Sequence, residues 1–324
     1  MPTCLLACLL IFSLSVQAKT ASELQHDFIQ QMVDEHGFEA KALQQLLADA
    51  KIEQPIINKV NKPAEKKLDW GRYRRIFLTE KRINQGIQYW QENKADLQRA
   101  ATTYGVPAHI IVAIIGVETS YGRHTGKYSV LKALGTLGFY HQRRGKFFRS
   151  ELSHFLRLTR EEGMDPRKPK GSYAGAMGRP QFISSSYRHY AIDFDGDGKR
   201  DIWHNNADVI GSVANYFAEH GWQPGQTVTA PISGISAQHA PMLAAGYKPR
   251  YPLADLRAAG IQLPSTLDNE QLGSLLTFKD GEAAEYWLGL KNFYVITRYN
   301  HSPLYAMAVY QLSETIRERY TTKF

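Results

Sequence analysis

The sequence predicts a mainly α-helical protein with a minor β part, an α+β chain. Three observations carry this reading. Apolar residues recur at helical spacing over 64–103, 107–121, 129–138, 147–162 and 206–220. After Gly221-Trp222 the texture changes to Thr227-Val228-Thr229, scattered Pro and Gly, and short alternating segments such as Leu275 to Phe278, which reads as a small β-containing insertion over 223–290. Helical character then returns at 301–319. No internal period of 20–50 residues recurs, which excludes a solenoid.

Residues 1–18 form an apolar leader. Cys4 to Val16 carries no charge, and Val16-Gln17-Ala18 places small residues before a cleavage point, the pattern of a secretory signal. Its first residues lack Lys and Arg, which points to a weak signal or a different start. Leu5-Leu6-Ala7-Cys8 offers a second reading, a lipobox, with outer-membrane association. Little apolar sequence precedes Cys8 and apolar residues follow it, so cleavage after Ala18 is favoured.

Residues 22–50 read as two short helices. Ser22 is the candidate N-cap with Gln25 three residues on, and Phe28, Met32 and Val33 supply the apolar face up to Gly37. The polar stretch 51–69, with Pro55 and Pro63, reads as extended, and 64–103 as long helical sequence through Trp70, Tyr73, Phe77, Ile83, Ile87 and Trp90. Pro107 opens the next helix, as suits a first turn. Gly-rich or charged loops occupy 163–182 and 193–205. The last helix runs from Ser302-Pro303 through Ala306, Val309, Leu312 and Ile316. These divisions suggest five segments: the leader 1–18, a helical region 19–103, a core 104–222, the insertion 223–290 and a C-terminal return 291–324.

The chain has 324 residues, 43% hydrophobic and 22% charged, which is ordinary for a globular protein with a full core. The formal charge is +8. A basic surface suits nucleic acid, anionic membrane or an anionic polymer. The cations are dispersed, as in Lys66-Lys67, Arg72, Arg74-Arg75 and Arg143-Arg144, and no nucleic-acid module accompanies them. Both cysteines, Cys4 and Cys8, lie in the leader, so a mature chain has no disulfide framework, no thiol nucleophile and no Cys-ligated zinc.

Glu118 is the candidate catalytic acid. It follows the run Ile110 to Ile115, apolar on nearly every face and therefore a buried helix, with Gly122 as the stop. Burial and the negative helix C-terminus both favour the protonated carboxyl, the form a general acid needs. The alternative is a helix-end Glu pointing into water.

Asp193-Phe194-Asp195-Gly196-Asp197-Gly198 begins like an EF-hand loop: carboxylates at positions 1, 3 and 5, with the turn glycine, Gly198, at position 6. The carbonyl of Lys199 would follow at position 7 and Asp201 at position 9. Position 12 is His204 rather than Glu, and Asp208 is the candidate closing carboxylate. Four carboxylates in the nine residues 193–201 repel one another without a cation, so a structural Ca²⁺ is expected, against the alternative of a metal-free turn. In a third stretch, Ser172-Tyr173-Ala174-Gly175-Ala176-Met177-Gly178-Arg179-Pro180-Gln181-Phe182, Gly and Ala permit close backbone approach, while Ser172 and Gln181 offer neutral groups suited to sugar hydroxyls and acetamides. It lacks the dinucleotide spacing; a plain connecting loop is the alternative.

Taken in order, Glu118-Thr119-Ser120-Tyr121-Gly122, Gly175 to Gly178 with Gln181-Phe182, Asp193 to Asp201, and Tyr299-Asn300 resemble the lytic murein transglycosylase B family over essentially the whole mature chain. The resemblance implies a lysozyme-like core with an added α-helical domain, a small β domain and an EF-hand-like calcium loop. It implies cleavage of the β-1,4 bond between N-acetylmuramic acid and N-acetylglucosamine in peptidoglycan, leaving 1,6-anhydromuramic ends, with Glu118 as sole acid and base. Matched positions imply that Ser172 and Gln181 hydrogen-bond the sugars, Met177 packs beside the cut, and Asn300 lies near the acetamido group or Glu118. Tyr73, Tyr216, Tyr299 and Tyr305 would offer stacking faces and hydroxyls, and Arg143 and Arg144 would meet lactyl or peptide carboxylates. Phe147 and Arg179-Pro180 depart from the family pattern. The implied setting is a periplasmic monomer on glycan strands, with no organic cofactor and no nucleic acid. The rivals are a hydrolase of goose-lysozyme type and a non-catalytic, Ca²⁺-dependent wall-binding protein.

Overall fold

A computed structural model describes residues 19–48, 52–61 and 68–323. The leader with Cys4 and Cys8, and the pair Lys66-Lys67, lie outside the described residues. The chain divides into two compact units, Met1–Ala48 and Asp49–Phe324.

In the first unit, α1 (Ala21–His36) packs on α2 (Ala40–Ala48). The cap of α1 falls on Thr20, not Ser22. Thr20 Oγ1 accepts from the Glu23 amide at 3.2 Å and Glu23 Oε2 accepts from the Thr20 amide at 2.7 Å. A Glu at the third position closes this reciprocal box, and its charge also suits the positive helix N-terminus. Gly37, in the left-handed region at φ 64°, ends the helix.

The second unit opens with α3 (Gln54–Asn61), where the sequence reads as extended. Pro55 is tolerated because it lies in the first turn, where its missing N–H has no helical partner. The start of α3 is tied down by the Glu53 amide, which donates to Thr136 Oγ1 at 3.2 Å. The long helical stretch breaks into α4 (Trp70–Phe77), α5 (Glu80–Glu92) and α6 (Lys94–Tyr104). The breaks have local causes. Asp69 caps α4 and Thr79 caps α5, each side chain accepting from the amide three residues on. Gly105, left-handed at φ 69°, stops α6.

Helix α7 (Ala108–Thr119) runs through the centre, buried from Ile110 to Val117 and packed by α5, α6 and later by α11 and α15. It stops before Gly122. Ser120 and Tyr121 turn left-handed at φ 50° and 61°, and their amides close on the Gly116 and Ile115 carbonyls. Gly116 makes this turn possible, since a Cβ there would lie 2.5 Å from the Tyr121 hydroxyl.

Strand β1 (Tyr128–Ser129) leads into α8 (Val130–Tyr140) and α9 (Gly145–Glu161), which pack together, and β2 (Lys170–Gly171) returns antiparallel to β1 with Tyr128 opposite Gly171. Helices α10 (Ser184–Tyr190) and α11 (Asn206–Glu219) complete this part. The insertion contains β3 (Thr229–Pro231), α12 (Ala240–Ala244), β4 (Tyr251–Pro252), α13 (Leu253–Ala258), β5 (Leu272–Asp280) and β6 (Ala283–Gly289). Its antiparallel sheet has the order β3-β6-β5-β4. One face buries Leu253, Leu256, Leu275 and Leu288 in a core of its own. The sheet docks on α4, where Trp70 meets Phe278 at 5.3 Å between ring centroids. The chain then returns through α14 (Lys291–Tyr299) and α15 (Pro303–Lys323), which packs along α7. The architecture is mainly α with a small antiparallel sheet.

Candidate active site

Glu118 is half-buried in the last turn of α7. Its Oε1 accepts a hydrogen bond from the Tyr305 hydroxyl at 2.5 Å. Tyr305 sits in the first turn of α15 and is 2% exposed. Burial, and then the nearby charge of Glu118, push the Tyr305 phenol well above its ordinary pKa, so it keeps its proton and donates it. A donor aimed at one carboxyl oxygen fixes that oxygen's position.

Tyr299, at the end of α14, is shifted upward in the same way, first by burial and then by Glu118. Its hydroxyl donates to the Pro180 carbonyl at 2.6 Å. From the other side Thr119, the neighbour of Glu118, donates through Oγ1 to the Arg179 carbonyl at 2.9 Å. The Arg179-Pro180 backbone is thus held between α7 and α14. The segment around it is a tight reversal. The Met177 and Phe182 amides exchange hydrogen bonds at 2.8 and 3.0 Å, and Gly178 turns at φ 66°, where a Cβ would meet the Ile202 carbonyl at 2.5 Å. Gln181 is left-handed at φ 53° without being glycine. Its amide nitrogen donates to the Gly178 and Thr125 carbonyls at 2.8 and 3.2 Å. Strained residues of this kind cluster where the surrounding structure fixes a side chain for a task.

Of the residues singled out in the sequence, the structure therefore joins Glu118 with Tyr305, and through Thr119 and Tyr299 with the reversal carrying Met177 and Gln181. The others lie as follows. Met177 is fully buried. Ser172 Oγ accepts from the Ala174 and Ala176 amides at 3.3 and 3.0 Å, shaping its own turn. Tyr73 and Tyr216 are 2% and 7% exposed, so with Tyr305 they offer almost no open ring face. Tyr73 packs on Phe77, and Tyr216 lies among Phe182, His220 and Tyr299 with its hydroxyl donating to the Arg298 carbonyl at 2.7 Å. Asn300 is exposed at the end of α14. Arg143 and Arg144 are exposed on the α8–α9 connection, where the Arg144 guanidinium covers Phe147 and Phe148 at 4.8 and 4.9 Å. Sequence reasoning missed Thr119, whose place beside Glu118 was its one available signal, and the Arg179 and Pro180 carbonyls, which carry none.

The aspartate loop gathers three of its predicted ligands. Oxygens of Asp193, Asp195 and Asp197 lie within 4.8 Å of one another. Hard, mutually repelling oxygen donors of this kind fit Ca²⁺. Asp201 and Asp208 are engaged elsewhere. Asp201 Oδ1 accepts from the Trp203 and His204 amides at 2.8 and 3.0 Å. Asp208 is buried in α11, its two oxygens accepting from the Phe194 and Asp201 amides at 2.7 Å each, so it staples the loop to the helix.

The chain is similar to known proteins along most of its length. Residues 20–314 match the transglycosylase SLT domain. The membrane-bound lytic murein transglycosylase B of Escherichia coli strain K12 is 45% identical over 298 residues, which are 89% of this chain and 81% of that protein. The crystal structure of the soluble lytic transglycosylase SltB1 of Pseudomonas aeruginosa superposes with a TM-score of 0.86 at 46% identity, covering 92% of this chain and 99% of that one. The Escherichia coli lytic transglycosylase Slt35, solved in complex with calcium, gives 0.84 at 44% identity over 92% of this chain and 94% of that one. A match that spans most of the chain, joined to a shared overall fold, shows that this chain belongs to the transglycosylase SLT domain family and, within it, to the lytic murein transglycosylases of type B.

Proposed function

We propose that Glu118 is the single acid and base of this lytic transglycosylase. The protonated carboxyl gives its proton to the glycosidic oxygen between N-acetylmuramic acid and N-acetylglucosamine, and the bond from C1 breaks with its electrons leaving on that oxygen. The substrate's acetamido group supports the oxocarbenium-like centre, an exception to the two-carboxylate scheme. The Glu118 carboxylate then takes the proton of the muramic O6 as O6 closes on C1, giving the 1,6-anhydro end and restoring the acid. The observation that carries this reading is the 2.5 Å bond from Tyr305 to Glu118 Oε1. It leaves the carboxylate aimed by a group that keeps its own proton.

Gln181, Ser172 and Asn300 serve as neutral sugar contacts, with Met177 shaping the wall beside the cut; the strained, doubly bonded Gln181 supports a fixed role. Asp193, Asp195, Asp197 and the Lys199 carbonyl hold Ca²⁺, which stiffens the loop on α11 and supplies no reacting group. The basic chain works on glycan strands as a monomer in the periplasm, to which the leader directs it. The test is Glu118→Gln on purified sacculi. Anhydromuramic products should vanish while sedimentation with sacculi persists. Unchanged release would refute the assignment, and reducing ends from the unmodified protein would point to a hydrolase.

A further inference from the structure

Arg82 occupies a place that local physics disfavours. It is the third residue of α5, where the positive helix N-terminus repels a cation. It is half-buried, and no carboxylate pairs with it among the described residues. Glu80, the acid of the same turn, is paired with Arg319 at 2.6 Å. The buried Arg82 Nε has no hydrogen-bond partner among the described residues. A side chain that breaks three local rules at once marks a place where something other than stability sets the choice.

The partners that Arg82 does have show what it holds. Its Nη1 donates to the Ile76 carbonyl at 2.5 Å, closing the end of α4, and its guanidinium lies 5.2 Å from the Phe77 ring centroid. Its Nη2 donates to Ser120 Oγ at 3.1 Å. Its own carbonyl accepts from the Tyr121 hydroxyl at 3.1 Å. Ser120 and Tyr121 are the residues that turn left-handed to end α7. Without glycine, such a turn persists only where its surroundings over-determine it. One residue of α5 thus grips both, by side chain and by main chain, within three positions of Glu118. The space around Tyr121 fits this grip. Its ring is buried and stacks on Tyr89 of α5 with 5.5 Å between centroids. A Cβ at Gly86 would lie 2.4 Å from the Tyr121 hydroxyl, so α5 leaves room for it as α7 does at Gly116. Burial pushes the Tyr121 phenol up, so its hydroxyl stays a donor.

We propose that Arg82 is a positioning residue for Glu118: through Ser120 and Tyr121 it locks the left-handed turn that ends α7, and so sets where the carboxyl stands against the glycosidic bond. The inference rests on the reading of Glu118 as acid and base. Tyr305 fixes the carboxyl from α15, and Arg82 fixes the backbone that carries it. A role confined to closing α4 would leave the Ser120 contact idle, and the two roles give different results.

The experiment is a double-variant cycle of Arg82→Met and Ser120→Ala, read in turnover of purified sacculi and in amide hydrogen exchange without substrate. The Ser120 and Tyr121 amides close on the Gly116 and Ile115 carbonyls, and their exchange should quicken about tenfold or more in Arg82→Met. In that variant kcat should fall about tenfold, because a small misplacement of a reacting group costs rate. KM should stay within about twofold, since ground-state binding is untouched. Ser120→Ala should slow the unmodified protein at least about threefold yet leave Arg82→Met no slower, the mark of two groups acting through one contact. Arg82→Lys, which keeps the charge, should recover part of kcat, and it takes the place of Arg82→Met in the cycle if the latter does not fold. An unchanged kcat in Ser120→Ala, losses that multiply in the double variant, or unchanged exchange in the Arg82 variant overturns the inference. Exchange is measured without the reaction, so a failed grip is told apart from a failed catalytic reading, which persistent release in Glu118→Gln would show.

Discussion

The Tyr305 hydroxyl donates to Glu118 Oε1 at 2.5 Å, joining residues 187 positions apart in the chain. This contact links the first turn of α15 to the last turn of α7. It makes the C-terminal helix part of the site, not merely a cover for the core.

Tyr305→Phe removes only the hydroxyl and keeps the buried ring. A hydrogen bond to a charged group contributes roughly 1.5–3 kcal/mol, so kcat on sacculi should fall roughly ten- to hundredfold. KM should stay near its original value, and the melting temperature should change little. A kcat within twofold of the unmodified protein would show that Glu118 is held by other contacts.

Thr119→Val tests how the reversal is held next to Glu118. Thr119 Oγ1 donates to the Arg179 carbonyl at 2.9 Å and accepts from the Gly122 amide at 3.0 Å. Valine keeps the shape and strands both partners, at a cost of about 1–3 kcal/mol for each buried group left unpaired. Denaturant unfolding should move to a lower midpoint without a change in slope, and turnover should fall because the Arg179-Pro180 backbone leading into Gln181 loses one of its two ties.

His109 gives the chain an acid sensitivity with a definite sign. It stacks near Trp90, and its Nε2 lies 3.5 Å from Glu314 Oε1. Burial, with Arg317 adding to it, lowers its pKa from 6.5 to about 4. Between those values the unfolded chain binds a proton that the folded chain refuses. Stability is therefore complete above pH ~6.5 and declines as pH falls toward ~4, by about 3 kcal/mol in all. Glu314 is shifted upward by burial, and its contribution slopes the other way above its ordinary pKa. The difference between the unmodified protein and His109→Gln isolates the histidine. Unfolding measured from pH 7 to 4 should show a flatter decline in the variant, and parallel curves would refute the assignment.

Calcium should raise the melting temperature. A ligand bound only by the folded chain adds about 2.7 kcal/mol at a hundredfold excess over its Kd, which is several degrees for a domain of this size. The gain should disappear in Asp193→Asn/Asp195→Asn and return to the baseline on chelation. A calcium shift that survives in the variant would place the ion elsewhere.

Much of the fold and part of the site were legible in order along the chain. The uninterrupted apolar run from Ile110 to Ile115 forces a buried helix, and Glu118 at its end follows by counting. The alternating stretch around Leu275 marks β5, and Asp193, Asp195 and Asp197 converge because Gly196 turns the loop tightly, at φ 82°. Helix breaks were harder to read. Asp69 and Thr79 start helices by turning their side chains back on the backbone amides three residues on, and the first helix begins after Thr20 because Glu23 completes its box.

Local spacing by itself determined the helical class, the buried helix end bearing Glu118 and the aspartate loop, because each depends on contacts within a few residues. The tertiary structure decided what surrounds that carboxyl. Tyr305 reaches it by long-range packing of α15 against α7, while Tyr299 and Thr119 hold the Arg179 and Pro180 carbonyls of the 177–182 reversal, and a hydrogen bond between residues 187 apart leaves no periodic trace in the chain. Folding also buried Tyr73 and Tyr216 and turned Asp208 into a backbone staple, since a side chain's role follows from the groups that face it in space.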